Sequence, residues 1–264
     1  MIAMLRRLED YYDAVPRSAA RAEAFGPLTL FVREGDGWPY YARPALGHTG
    51  DVSVAEVERV RARQRELGVP EAFEWVAETT PGLRAAVEES GLVVHEHPLM
   101  VLDGEGEGDG AGTGAGERVP VPDGVTVRMI GTDDPALPSA AAAPYAAFGV
   151  DPSPAAAAQL AARIDAGLTR LAAAVDATGT ALCAGQYQPV HQPVGAVAEV
   201  VGVGTLPAAR RRGLGLAVTA ALVADARARD VETVFLTATD GDVARLYGRL
   251  GFRTIGTALI AEPA

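Results

Sequence analysis

Residues 200–230 read VVGVGTLPAARRRGLGLAVTAALVADARARD. A β-branched run passes into the loop Arg210-Arg211-Arg212-Gly213-Leu214-Gly215, and a helical pattern begins there. That order suits a particular chemistry. The first N–H groups of a helix have no intrahelical acceptor and lie at the positive end of its dipole. Glycines let a phosphate approach the backbone, and guanidinium groups add charge, so the loop reads as a cradle for a pyrophosphate. It is not a Walker loop, because no Lys follows the glycines, and the spacing G-x-G-x-x-G of a dinucleotide fingerprint is absent. The bland alternative is an exposed basic helix start. All 23 basic residues are Arg, and the chain has neither Lys nor Asn, so an arginine cluster alone is weak information.

Other chemically capable residues are less telling. Cys183 is the single cysteine, which excludes an intramolecular disulfide and fits a small buried residue in a reducing compartment. His95 and His97 stand two apart on an expected strand and would share a face. No third ligand accompanies them, so no metal is expected. His191 is placed in a loop before the cofactor strand, where it could line an acceptor site. Trp38, Tyr40 and Tyr41 read better as packing residues than as a pocket wall.

These residues need a scaffold, and 264 residues with 48% apolar content can build one. The net charge of −11 argues against a nucleic-acid or anionic-membrane partner. No apolar run is long enough for a membrane span, and the N-terminus lacks a signal-peptide core, which points to the cytoplasm. The Gly-rich acidic segment at 103–123 reads as a flexible linker between residues 1–102 and 124–264. In the first half, 4–14, 17–24, 53–67 and 81–90 are expected to be helical, with strands at 28–34, 72–78 and 92–102. Ser53 with Glu56 gives a capping box, and Gly68 with Pro70 a stop. In the second half, strands are expected at 125–130, 168–175, 180–187, 196–206, 231–238 and 252–261, with helices at 153–166, 213–229 and 241–250. The fold class is therefore α/β. Residues 73–102 can be laid over 234–263 without a gap, each giving strand, helix and strand, as a diverged duplication would.

R-x-x-G-x-G after a strand ending in V-x-T-L-P, followed by D-x6-Y-x-x-L-G-F at 240–252, resembles the acetyl-CoA motif and the second signature of the GNAT superfamily of N-acetyltransferases. The resemblance covers residues 124–262 and implies two GNAT-like mixed-sheet halves. The N-terminal one is degenerate, lacking R-x-x-G-x-G and having Val87 where the duplication places Tyr247. It implies that Val203, Gly204 and Thr205 offer backbone groups to the pantetheine arm and acyl carbonyl. Arg211, Arg212, Gly213, Leu214, Gly215 and Leu216 would wrap the pyrophosphate, with Arg210 where the motif has Gln or Arg. Tyr247 matches the tyrosine that protonates the departing thiolate. Asp240 replaces the usual Asn near the pantetheine, and an ionised Asp cannot donate a hydrogen bond. Glu199, eleven residues before Arg210, matches the catalytic glutamate of the histone-acetylating branch, and its valine neighbours would raise its pKa. The expected activity is transfer of an acetyl or short acyl group from acetyl-CoA, as co-substrate, to an amine. A small cationic amine suits the acidic chain better than an anionic acceptor, a small-molecule amine is expected in preference to a protein, and a homodimer is compatible with this reading. The runner-up is a catalytically silent acyl-CoA-binding sensor or interaction module.

Overall fold

The computed structural model describes residues 1–102, 119–192 and 195–264, and the chain divides into two compact units. Most of the expected linker thus lies outside the described residues. Unit 1 holds Met1–Leu99, Thr237–Gly241 and Thr254–Ala264; unit 2 holds Met100–Leu236 and Asp242–Arg253.

Unit 1 begins with helix α1 (Ile2–Ala14), strands β1 (Ala20–Phe25), β2 (Leu28–Arg33) and β3 (Ala42–Pro44), helix α2 (Val54–Leu67), strand β4 (Phe73–Val76), helix α3 (Leu83–Glu89) and strand β5 (Val93–Leu102), whose residues from Met100 group in unit 2. The segment 17–24, expected to be helical, instead forms a short 3-10 turn at Pro16–Ser18 and then β1, which pairs antiparallel with β2. Gly26, with φ 69°, makes the tight turn between them. The helix expected at 53–67 forms as α2. The Ser53 side chain accepts from the Glu56 amide, the Glu56 carboxylate accepts from the Ser53 amide, and Gly68 ends the helix at φ 65°. Val57 and Val60 of α2 pack with Leu28, Leu30, Phe73, Trp75, Leu83 and Leu259 into the core of this unit. Each such side chain contributes about 2 kcal/mol by leaving water.

Unit 2 contains strand β6 (Thr126–Ile130), helices α4 (Leu137–Ala147) and α5 (Ala156–Asp165), strands β7 (Arg170–Val175), β8 (Ala181–Gln192) and β9 (Gly195–Thr205), helix α6 (Leu214–Ala228), strand β10 (Val231–Thr237) and helix α7 (Gly241–Gly248), with Thr237 of β10 and Gly241 of α7 grouped in unit 1. Its strands run in the order β10-β9-β8-β7-β6. β6 to β9 are an antiparallel meander, and β10 joins β9 in parallel. The turn at 176–179 is closed by the Asp176 carboxylate, which accepts from the amides of Thr178 and Thr180. The last strand, β11 (Phe252–Glu262), pairs antiparallel with β4, so the C-terminal residues from Thr254 belong to unit 1.

The two faces of the unit 2 sheet carry different helices. Ala184, Ala173 and Ile130 pack under α4 with Leu137, Ala140 and Ala143. On the other face, α6 is anchored by Asp225, whose carboxylate accepts from the buried Tyr187 hydroxyl at 2.7 Å and pairs with Arg170 and Arg229. Burial alone would push the Asp225 carboxyl up, but Tyr187 and the two guanidinium groups hold it below its ordinary value. Among the described residues no helix is long and apolar enough to cross a membrane.

Candidate active site

The site starts from a break in strand pairing. β9 and β10 pair in parallel from Val231↔Ala196 to Phe235↔Glu199, and the described ladder ends there. On its other side β9 stays paired with β8, but Ala184↔Gly204 and Gln186↔Val201 are out of step by one residue. Gly202 and Val203 therefore stand opposite the single Gly185, and Gly202 has φ 62°. This is a β-bulge begun by a left-handed glycine, which bends its strand and increases the local twist. A Cβ on Gly185 would lie 2.8 Å from Val203 Cγ2, so the small residue lets the bulge close over β8.

Hydrogen-bond parity then determines which peptide groups face the split. The Leu206 amide donates to the Leu182 carbonyl across β8. In an antiparallel pair such bonded positions recur every second residue, so Gly204 also turns its peptide groups to β8. Val203 and Thr205 turn theirs towards the β10 side, into the opening. Of the three expected backbone positions, Val203 and Thr205 thus present peptide groups to the split. Gly204 serves packing instead, since a Cβ there would sit 2.6 Å from Pro144 Cα of α4.

The Arg/Gly loop follows β9. Arg211 has φ 60°, unusual for a residue with a side chain, and Gly213, the N-cap of α6, has φ 77°. The first helical bond of α6 runs from the Ala217 amide to the Gly213 carbonyl, leaving the amides of Leu214, Gly215 and Leu216 without helical acceptors. Arg211, Arg212 and Gly213 are exposed. Gly215 is informative because the fold does not demand it. A Cβ there would meet nothing nearer than Thr205 Oγ1 at 3.7 Å, and its φ is ordinary. These groups fit a diphosphate. Arg210 is engaged differently: its guanidinium donates to the carbonyls of Ala147, at 2.8 Å, and Thr205, tying the end of α4 to the end of β9.

Tyr247 of α7 is half-buried and stacks edge-on with Phe252 at 6.2 Å between centroids. Burial raises its pKa, the neighbouring Thr219 hydroxyl of α6 opposes that rise, and the nearby Cys183 thiol adds to it. Cys183 is fully buried on β8 and accepts from Thr205 Oγ1 at 3.2 Å; burial pushes its thiol up to about 11. A thiol held protonated at neutral pH is not a nucleophile.

Glu199 is half-buried at the last paired step of the β9–β10 ladder. It lies opposite Gln188, whereas Val200 lies opposite Tyr187, whose hydroxyl reaches α6. Cross-strand partners share a face, so Glu199 faces the α4 side, while Tyr247, whose titration feels Thr219 of α6 and Cys183 of β8, belongs to the α6 side. The two candidate acid–base groups therefore flank the split from opposite faces.

Asp240 is exposed in the loop before α7. His191 is on strand β8 opposite Ala196 rather than in a loop, because the β8–β9 hairpin is longer than the sequence pattern implied. His95 Nε2 lies 3.9 Å from Glu262, and His97 Nδ1 bonds the Thr239 carbonyl. Among the described residues no group of three or more His, Cys, Asp or Glu side chains is assembled for a metal.

A sequence profile of the acetyltransferase (GNAT) family matches residues 140–252, which span α4 to the start of β11. No curated protein sequence matches the chain. Among solved structures, a GCN5-related N-acetyltransferase from Kribbella flavida is similar at TM-score 0.72 and 23% identity, over 98% of this chain and 96% of that one. A tandem GNAT protein from the clavulanic acid biosynthesis pathway is similar at TM-score 0.56 and 17% identity, over 89% and 77% of the two chains. A GNAT-family acetyltransferase from Novosphingobium aromaticivorans gives TM-score 0.53 and 21% identity, over 94% and 93%.

Proposed function

We propose that this chain, whose residues 140–252 match the acetyltransferase (GNAT) family profile, transfers an acetyl or short acyl group from acyl-CoA to an amine within a ternary complex. One observation carries the reading. Beyond Glu199, β9 leaves β10, and the peptide groups of Val203 and Thr205 face the opening, one loop before the free amides of α6. That is an extended polar edge ending at an anion cradle, the shape an acyl-pantetheine-diphosphate requires.

Bound acyl-CoA would supply an activated acyl group on a thioester. The residues of this chain supply the rest. The amides of Leu214, Gly215 and Leu216, with Arg211 and Arg212, hold the diphosphate. Thr205 and Val203 orient the arm as an added strand would be oriented. The Val203 amide is the donor for the negative charge that develops on the carbonyl oxygen. Glu199, on the α4 face, takes the proton from the incoming ammonium, directly or through water. Tyr247, on the α6 face, gives its proton to the departing sulfur. The opposition of faces separates nucleophile from leaving group, and alignment of the two substrates supplies much of the acceleration.

The acceptor we favour is a small cationic amine, on the ground that the chain carries a net charge of −11. The test is incubation with acetyl-CoA and a library of small primary amines, with acetylated product read by mass spectrometry. Acetylation of one or more amines supports the reading. Saturable acetyl-CoA binding without product across the library would favour a sensing module instead.

A further inference from the structure

Arg210 meets the site through two backbone carbonyls. Its own backbone is set by the 3-10 turn Pro207–Ala209, whose Ala209 is buried. Its Nη2 donates to the Ala147 carbonyl at 2.8 Å and its Nε to the Thr205 carbonyl at 3.4 Å. A guanidinium is a rigid planar fork, so this pair of bonds fixes the spacing of the two backbones it reaches. The next residue, Arg211, is left-handed at φ 60°, and the chain turns there into the cradle. Arg210 is thus one peptide from the cradle yet directed at α4. That helix has particular need of it. Pro144 lies inside α4 and has no N–H, so residue 144 gives no ladder bond to the Ala140 carbonyl. The last turn, from Pro144 to Ala147, is loosened from the rest of the helix and is held from outside. Pro144 Cα and Ala147 Cβ sit so closely over Gly204 that a Cβ there would lie 2.6 and 2.9 Å from them. The carbonyls of Pro144, Tyr145 and Ala146 accept from the amides of Phe148, Val150 and Gly149. The Ala147 carbonyl, next in line at the negative end of the helix dipole, accepts from Arg210. Gly204 stands between Val203 and Thr205, so this turn rests on the stretch of β9 assigned to the acyl arm. Glu199 faces the same α4 side.

We infer that Arg210 is a positioning residue for the acceptor: it fixes the last turn of α4 over β9 on the face from which the amine approaches, and it is not a ligand of the diphosphate. The inference rests on the acyl transfer proposed above, with the amine on the Glu199 face. It divides the three consecutive arginines by role, Arg211 and Arg212 serving the cofactor and Arg210 the acceptor.

The experiment compares Arg210→Met, which keeps an unbranched stem and removes the donors, with Arg210→Lys, which keeps a charged donor, and with Arg211→Met. Arg210 is exposed, so these substitutions leave the core intact. Calorimetric titration with coenzyme A reads the cradle. Steady-state kinetics with an accepted amine reads the acceptor side, and amide hydrogen exchange reads α4 itself. Arg210→Met should bind coenzyme A as the wild type does, whereas Arg211→Met should bind it more weakly. In Arg210→Met the KM for the amine should rise about tenfold, the scale of one hydrogen bond from a charged group, with the KM for acetyl-CoA unchanged. Arg210→Lys should recover part of that loss. The amides of Phe148, Gly149 and Val150 should exchange about tenfold faster in Arg210→Met, while those of β9 keep their rates. If Arg210→Met weakens coenzyme A binding as much as Arg211→Met does, Arg210 belongs to the cradle and the inference is overturned. If exchange at α4 rises but the KM for the amine does not, Arg210 is a helix cap only and the positioning role alone falls. If the wild type binds coenzyme A but acetylates no amine, the transfer reading falls and the positioning role with it.

Discussion

At the residue scale the account depends on two side chains on opposite faces of one split. General acid or base catalysis contributes about a hundredfold or more to a rate. Tyr247→Phe should therefore lower kcat by about that factor and leave KM for acetyl-CoA within a few-fold; steady-state kinetics check it. Glu199→Gln should cost a similar factor and flatten the low-pH limb of the profile. Unchanged turnover would leave Glu199 as a strand residue only. Both stand out in the sequence because their spacing from the Arg/Gly loop and from Phe252 matches a pattern, and the kinetics above decide their roles.

At the scale of elements, two glycines of the site should behave differently. Gly204→Ala places a Cβ 2.6 Å from Pro144 Cα and 2.9 Å from Ala147 Cβ, where backbone and a fixed side chain cannot yield. It should destabilise the protein by about 1–3 kcal/mol, visible as a lower midpoint in chemical denaturation. Gly215→Ala meets only ordinary contacts, so the fold should keep its stability while the new methyl group crowds an approaching phosphate. Calorimetric titration should show weakened acetyl-CoA binding with an unchanged melting temperature. The elements themselves were read unevenly. α2 was legible from its capping box and α6 from its apolar face. α4 was not identified, because Pro144 and a run of alanines weaken the helical signal, and β1 was mistaken for a helix because its residues are mostly Ala and Arg. The bulge at Gly202, on which the split depends, has no signature beyond a glycine in a strand.

At the scale of the whole molecule, the strand–helix–strand repeat was readable, but the destination of its last strand was not. The pairing of β11 with β4 joins residues nearly two hundred positions apart, which no local pattern encodes. That partner strand carries a testable charge. Glu74 of β4 faces Arg43, itself buried and paired with Glu9, and burial lifts the Glu74 carboxyl to about 7 despite the attraction of Arg43. Because this folded-state pKa lies above the unfolded value, the folded protein binds the extra proton between about pH 4.5 and 7. Stability should fall as pH rises through that window and level off above it. Glu74→Gln should remove the slope and raise the melting temperature at pH 8, by an amount corresponding to roughly 2–3 kcal/mol at most. The same substitution should have little effect at pH 5.

The measurement that bears most directly on the central claim is thiol release from acetyl-CoA with and without an accepted amine. The account predicts release that depends on the amine, saturates in both substrates, and drops about a hundredfold in Tyr247→Phe while acetyl-CoA still binds. Release that ignores the amine, or that persists undiminished in Tyr247→Phe, would contradict it.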